Sequence, residues 1–457
     1  MVNLLISAFS GLLLSTAFEP LSLWFIAPFA VALHIFAIDQ SQKKLLSALV
    51  FALAFNLNLL HWTSIYVGST PWIILAIGLS LLYLPLALTG RWGIASYPFI
   101  FIAMEQVRNI FPFGGFGWAR LAYSQADAPY AMIASYGGAA GLSACVVLLA
   151  LLIYFVFNKK LPVLIIAPLL LLTLPLNVTE ASAMKVLLIQ GNVPNYGLDF
   201  NARAKAVFYN HVSESNRALV QFPDVDFLLW PENAVDVDPF RNKDVNDELN
   251  SFNKPLILGA IVNKDGKTFN SSILWRNNQQ IIYNKQHLTP FGEYIPLRSL
   301  ATKISPLASQ VSDFTPGNSQ VIFKINSGKI APIICYELID DSLLESAANS
   351  ANLIVVQTNS ATFGMSAESA QQLSITRIRA IEHSRNILSV STTGFSAVID
   401  HSGKIIKSTK MGVADHLYAE VGLIDQLSMR DRLGDWALII TLIWLLLVAR
   451  RACVYRR

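Results

Sequence analysis

The sequence predicts a polytopic α-helical membrane bundle of eight spans joined to one α/β layered domain outside the membrane. Three observations carry that prediction. The chain is 53% hydrophobic and only 14% charged, with a mean hydropathy of +0.47, where a soluble protein carries about 25% charged residues. Charge is also unevenly spread: only eleven charged side chains fall between Met1 and Leu176, whereas Glu180 to Arg432 has an ordinary soluble composition before "WALIITLIWLLLVA" (436–449) turns apolar again. Within the soluble stretch, short β-branched runs alternate with amphipathic helical ones. The expected organisation is a seven-helix bundle over 1–177, an extracytoplasmic domain over 178–432, and a last span with a basic tail over 433–457. A net charge of +4 is too small to imply a nucleic-acid partner.

A helix needs about twenty apolar residues to cross the hydrocarbon core. Spans are expected at about 4–19, 21–38, 45–61, 72–89, 94–110, 132–157, 161–177 and 435–450. The first lacks a basic leader and a small-residue cleavage site, and a second apolar run follows at once, so it reads as a retained helix. Lys43–Lys44, Arg91, Lys159–Lys160 and the tail "ARRACVYRR" fall on alternate connections. The positive-inside rule then places both termini in the cytoplasm and the soluble domain on the opposite face. The outer loops "HWTSIYVGSTPW" and "FPFGGFGWARLAYSQ" are rich in aromatics and glycine. Trp62 and Trp72 suit an interfacial belt, and the second loop suits a floor beneath the soluble domain.

In that domain strands are expected at 185–192, 225–233, 255–262, 329–337, 352–360 and 386–394, with helices at 201–221 and 367–386 and hairpins in "SSILWRNNQQIIYNKQ" and "FSAVIDHSGKIIKST". The connection 289–318 lacks periodicity. At that length it reads as a functional loop, a lid rather than a linker.

Three polar residues end three apolar strands: Glu232 after "FLLWP", Lys285 after "IIYN" and Cys335 after "APII". Catalytic groups gather where the strands of layered α/β domains end. A nucleophilic thiol needs a base and a nearby positive charge, and a carboxylate and a lysine supply both. Each residue alone also has a plainer reading: a strand-end cysteine packs, and strand-end Glu or Lys lines a solvated rim. Of the three cysteines, Cys145 and Cys453 lie in the apolar bundle and the basic tail, which leaves Cys335 a free thiol. His287 and His383 are in the same domain, but nothing local ties either to Cys335. No His/Cys/Asp cluster has metal-ligand spacing, and no cofactor is expected.

"WPENA" with Glu232, "YNKQHLTPFGEYIP" with Lys285 and Glu293, and "ICYE" with Cys335 resemble the Glu–Lys–Cys triad of the nitrilase superfamily. Within it, "TPFGEY", the flanking spans, "GFGWARLAYSQ", "QGNV" and "RLGD" resemble the apolipoprotein N-acyltransferase family. The resemblance implies a nitrilase-like αββα sandwich facing the periplasm or its equivalent. It also implies Glu232 as general base, Lys285 as oxyanion stabiliser and Cys335 as nucleophile, with Glu293, Tyr336 and Glu337 in support. The implied reaction passes an acyl chain from a membrane phospholipid through a Cys335 thioester to the α-amino group of a diacylglyceryl-apolipoprotein. Trp118, Phe200, Asn359 and Phe363 are the expected substrate contacts, and the expected species is a monomer in the cytoplasmic membrane. The chain departs from the family pattern at "NSATFG", where Ser360 and Thr362 replace an acid and a tryptophan, and after "QGNVP", where a tryptophan is missing near Phe200. Two rival readings are a membrane-tethered amidase and a catalytically dead scaffold.

Overall fold

A computed structural model describes residues 1–65, 68–159, 178–193, 204–276, 279–304, 309 and 311–454. The expected span at 161–177 and Phe200 lie outside these residues. The chain divides into two compact units, Met1–Leu176 with Ser428–Arg457, and Asn177–Leu427.

The first unit is helical. Two of its helical stretches, Ser69–Trp92 and Ala131–Phe157, are long and apolar enough to cross a membrane, and Val2–Ser15, Ile26–Gln40 and Lys44–Leu59 are shorter apolar helices. Small and polar residues join them. Ser7 and Ser47 hydroxyls meet at 2.7 Å, and Asn56 donates to Ser80 at 3.1 Å. A Cβ on Gly11 would lie 2.1 Å from the Phe51 carbonyl oxygen, so only glycine permits this helix crossing. Such contacts hold helices together where apolar burial cannot discriminate between partners. Trp118 lies in this unit, buried, with its ring 5.3 Å from that of Trp62.

The second unit is a sandwich of two six-stranded sheets. The first contains β1 (Ala183–Gln190), β2 (Phe227–Leu229), β3 (Leu256–Lys264), β4 (Lys267–Arg276) and β5 (Gln279–Asn284). The second contains β6 (Phe323–Ile325), β7 (Gly328–Ile334), β8 (Leu353–Thr358), β9 (Ile387–Ser391), β10 (Ala397–Ile399) and β11 (Ile405–Ser408). The last strand, β12 (Asp415–Gly422), returns to the first sheet, giving the orders β12-β1-β2-β3-β4-β5 and β11-β10-β9-β8-β7-β6. In each sheet three central strands run parallel and the outer ones antiparallel.

Alternation along the strands builds the layers. Val186 and Leu188 of β1 and Phe227 and Leu229 of β2 face the core between the sheets, with Ile330, Ile334, Leu353 and Val355 from the other side. Leu187, Ile189, Leu228 and Trp230 face the opposite way, into a second core with Phe208, Val212, Val245 and Leu249 of helices Ala206–Gln221 and Lys243–Ser251. These strands are buried on both faces, which is why they read as unbroken apolar runs. Each fully buried Leu or Ile side chain contributes about 1.5–3 kcal/mol. Helices Asp341–Ser350 and Glu368–His383 belong to the second half of the sandwich, between β7 and β9 in the chain.

The structure differs from the sequence reading at several elements. The strand expected at 329–337 stops at Ile334, and Cys335–Ile339 turns as a 3₁₀ helix. The 225–233 strand is only Phe227–Leu229, because "WPEN" bends away. The connection 289–318 contains a helix, Arg298–Ile304.

Candidate active site

The site lies where β2, β5 and β7 end. After β2 the chain turns through "WPEN", with Trp230 N–H donating to the Ile257 carbonyl at 2.8 Å and Val235 N–H to the Gly259 carbonyl at 3.0 Å. Asn233 takes φ +54°, which turns the chain sharply and holds Glu232 buried at the strand end, 5% exposed. Gly259 of β3 lies directly behind. A Cβ there would stand 2.4 Å from the Pro231 carbonyl oxygen and 2.6 Å from Glu232 Cα.

Lys285 follows β5 and is 1% exposed. Its Nζ stands 3.2 Å from Glu232 Oε1 and 2.8 Å from Glu293 Oε2. The Asn270 side chain, from β4, donates to both carboxylates, at 2.7 Å to Glu232 Oε1 and 2.6 Å to Glu293 Oε1. The Thr289 N–H donates to Glu293 Oε2 at 2.7 Å. One buried ammonium thus serves two carboxylates, which an amide holds in register. Burial works against the Lys285 charge, but Glu232 and Glu293 outweigh it and raise its pKa above the usual lysine range. Burial likewise pushes Glu293 up, and Lys285 with the Thr289 and Asn270 donors brings it below the usual carboxylate value.

Cys335 begins the turn after β7 with φ +49°. A non-glycine residue in this left-handed region stores strain and clusters at functional sites. Here it swings the thiol off the strand axis, leaving it partly accessible. The Gln372 amide, from helix Glu368–His383, lies 3.6 Å from the sulfur as donor. Burial first, then the Glu232 carboxylate, pushes the thiol well above its ordinary pKa, and Lys285 opposes that rise. The resting sulfur is therefore a thiol that must lose its proton during reaction.

Glu337 clasps this turn to the Lys285 loop. One oxygen accepts from Tyr283 O–H at 2.8 Å and from the Gln286 and His287 N–H groups at 2.6 and 3.3 Å, and the other from Ile334 N–H at 2.7 Å. Even with four donors, full burial pushes its pKa up to about 7. A second tie runs from His287 Nδ1 to Asp340 Oδ2 at 2.8 Å, while Asp340 Oδ1 caps helix Asp341–Ser350. Tyr336 is buried, with its ring edge-on to His287 at 5.3 Å. Asn359 is turned inward, its carbonyl accepting from Ala361 N–H at 3.1 Å and Thr392 Oγ1 at 2.8 Å. Phe363 ends the short 3₁₀ helix Ser360–Phe363, half-buried.

The chain is similar to known proteins in both of its parts. Residues 10–152 match the apolipoprotein N-acyltransferase N-terminal domain, and residues 215–426 match the carbon-nitrogen hydrolase family. An apolipoprotein N-acyltransferase of Mycolicibacterium smegmatis is 30% identical over 93% of this chain and 80% of its own length. The chain belongs to the apolipoprotein N-acyltransferase family. Another member, from Geobacter metallireducens, is 30% identical over 95% of this chain and 92% of its own. Among solved structures, Saccharomyces cerevisiae Nit3, of the nitrilase superfamily, aligns over 53% of this chain and 91% of its own at 19% identity, with a TM-score of 0.40. The carbon-nitrogen hydrolase match spans Glu232, Lys285, Glu293, Cys335, Tyr336 and Glu337, and Trp118 falls in the N-terminal domain match.

The acyltransferase site also holds groups that the sequence reading passed over. Asn270 is readable as the first of three consecutive polar residues, "NSS", between the apolar Phe269 and Ile273. Gln372 and Glu368 lie four apart on one buried helix face, and "AESAQQL" displays no apolar break that would single them out. Among the described residues no group of three or more His, Cys, Asp or Glu side chains is placed to hold a metal.

Proposed function

We propose that this chain, through Cys335, moves a fatty acyl group from a membrane phospholipid to the α-amino group of an apolipoprotein's N-terminal S-diacylglyceryl cysteine. The observation that carries the residue assignment is the buried Glu232–Lys285–Glu293 cluster at 3.2 and 2.8 Å beside a thiol on a positive-φ turn. The names of its relatives supply the apolipoprotein acceptor and the transfer of an acyl group to nitrogen.

In the first half-reaction the Cys335 sulfur attacks the ester carbonyl carbon while Glu232 takes the thiol proton. Lys285 and backbone N–H groups of the turn after Cys335 stabilise the oxyanion. The C–O bond breaks, the proton passes from Glu232 to the departing oxygen, and lysophospholipid leaves. In the second, the amine attacks the thioester and Glu232 takes its proton. The C–S bond breaks, and the proton returns to the sulfur as the amide forms. Glu293 and Asn270 keep Lys285 and Glu232 in place. Glu337 and Tyr336 hold the turn and Phe363 contacts the lipid substrates, whereas the Asn359 carbonyl is already taken by Ala361 and Thr392.

Substrates anchored in a bilayer require a membrane-bound enzyme. The two long apolar helical stretches and three shorter apolar helices support a membrane bundle over 1–177, and helix Trp436–Val454 supports a last span in 433–457; the full count of eight spans rests on the sequence pattern. The loop basic residues support cytoplasmic termini and a catalytic domain, 178–432, on the opposite face of the cytoplasmic membrane.

The test is the covalent intermediate. The purified protein incubated with phospholipid should gain the mass of one fatty acyl group on the Cys335 peptide, and Cys335→Ala should gain none. Release of ammonia from small amides without any adduct would instead establish an amidase.

A further inference from the structure

We propose that Glu368 is a positioning residue of the thiol site, a carboxylic acid kept uncharged beside Glu232 so that Cys335 can ionise during attack. The inference rests on the thiol site proposed above but not on the identity of the acyl donor.

Glu368 opens helix Glu368–His383 and is 2% exposed. Its Oε2 has no hydrogen-bond partner, and no cation pairs with it among the described residues. Lys285 is already committed to Glu232 and Glu293. The one hydroxyl that meets the Glu368 side chain belongs to Ser360, a position where the "NSATFG" motif departs from the family pattern. An ionised carboxylate so enclosed and unpaired costs far more than a protonated one.

The groups facing Glu368 set the consequence. From the turn after β2 comes the Glu232 carboxylate, and from the turn after β7 comes Cys335. Lys285 and Glu293 are paired with each other at 2.8 Å, and Ser360 supplies a hydroxyl. The helix's own N-terminus favours negative charge, and Gln372, one turn along, points its amide at the sulfur. Burial outweighs the helix and the Ser360 hydroxyl and pushes Glu368 up to about 8. Around one ammonium, two carboxylates and a nascent thiolate already leave an excess of negative charge. A third carboxylate would raise the thiol further, so the neutral acid fills this corner without adding charge.

The test is the pH dependence of Cys335 alkylation by iodoacetamide in the full-length protein in detergent, with no lipid required. Wild type and Glu368→Gln, the neutral isostere, should react at equal rates near pH 6.5. By pH 9 the variant should react about tenfold faster, the change expected for one unit of thiol pKa, because only the wild type then carries the extra charge. Superimposable profiles would overturn the inference. Should the glutamine variant not fold, Ser360→Ala serves instead. It removes the hydroxyl that favours the Glu368 anion, so it should shift the point at which wild-type alkylation begins to lag to higher pH, and an unmoved profile counts against the inference. The outcome is separable from the proposed reaction: acyl adduct with coincident profiles sinks only the Glu368 role, and shifted profiles without adduct sink only the acyl transfer.

Discussion

The Lys285 ammonium and the Glu293 carboxylate meet at 2.8 Å, closer than Lys285 stands to Glu232 at 3.2 Å. Glu293 thus shares the Lys285 ammonium with Glu232 and fixes its position between the two carboxylates. Glu293→Gln should let Lys285 close on Glu232, and single-turnover acylation of Cys335 should fall by about 10²-fold, the usual cost of misplacing a catalytic group. An unchanged rate would reduce Glu293 to a loop contact.

Lys285→Met removes the cation that holds the buried Glu232 and Glu293 carboxylates. Breaking a buried ion pair from one side costs about 3–5 kcal/mol, so thermal unfolding should move to lower temperature as well as activity being lost. Lowering the pH should recover part of the stability, since Glu293, no longer held low by the ammonium, then gains a proton. A variant whose unfolding temperature matches wild type at all pH values contradicts this charge arrangement.

Glu337 carries a pH signature. Its pKa in the fold is about 7, above the ordinary carboxyl value of 4.5. Between those values the folded chain binds a proton that the unfolded chain releases. Its contribution to stability is therefore fully present below about pH 4.5 and is lost as pH rises through about 7. Glu337→Gln should flatten the melting temperature across that window. It should also destabilise the fold by about 1–3 kcal/mol throughout, because an amide NH₂ cannot accept from the donors that one carboxylate oxygen serves.

Gly259→Ala tests the packing behind Glu232. The new Cβ meets the Pro231 carbonyl and Glu232 Cα, both backbone neighbours, so the "WPEN" turn must shift. Acylation should slow by at least about tenfold with phospholipid affinity little changed, measured by separating the binding and single-turnover steps.

Much of the catalytic unit was legible because its strands are short and buried on both faces, as in "KVLLIQ" and "NLIVVQT". Their apolar runs end where polar residues begin, which marked Glu232, Lys285 and Cys335 before any geometry was known. Long-range pairing left no such trace. β12 joins β1 with Gly422 opposite Ala183, and nothing in "DHLYAEVG" names its partner. The turn at Cys335 was hidden too, because positive φ there falls on a cysteine rather than a glycine, and "IICYE" reads as continuing strand. Glu368 and Asn270 matter through what they face, and a sequence does not record facing. In the first unit, apolar composition signalled helices, and among the described residues two stretches pass the length and hydropathy a span requires.

Transfer from an isolated intermediate tests the central claim most directly. Cys335 is charged with a labelled acyl chain from phospholipid, freed of donor, and mixed with a peptide bearing an N-terminal S-diacylglyceryl cysteine. The account predicts that label leaves Cys335 and appears as an amide on the peptide's α-amino group, with little free fatty acid. Release of the label as free acid at the same rate with and without peptide would contradict it.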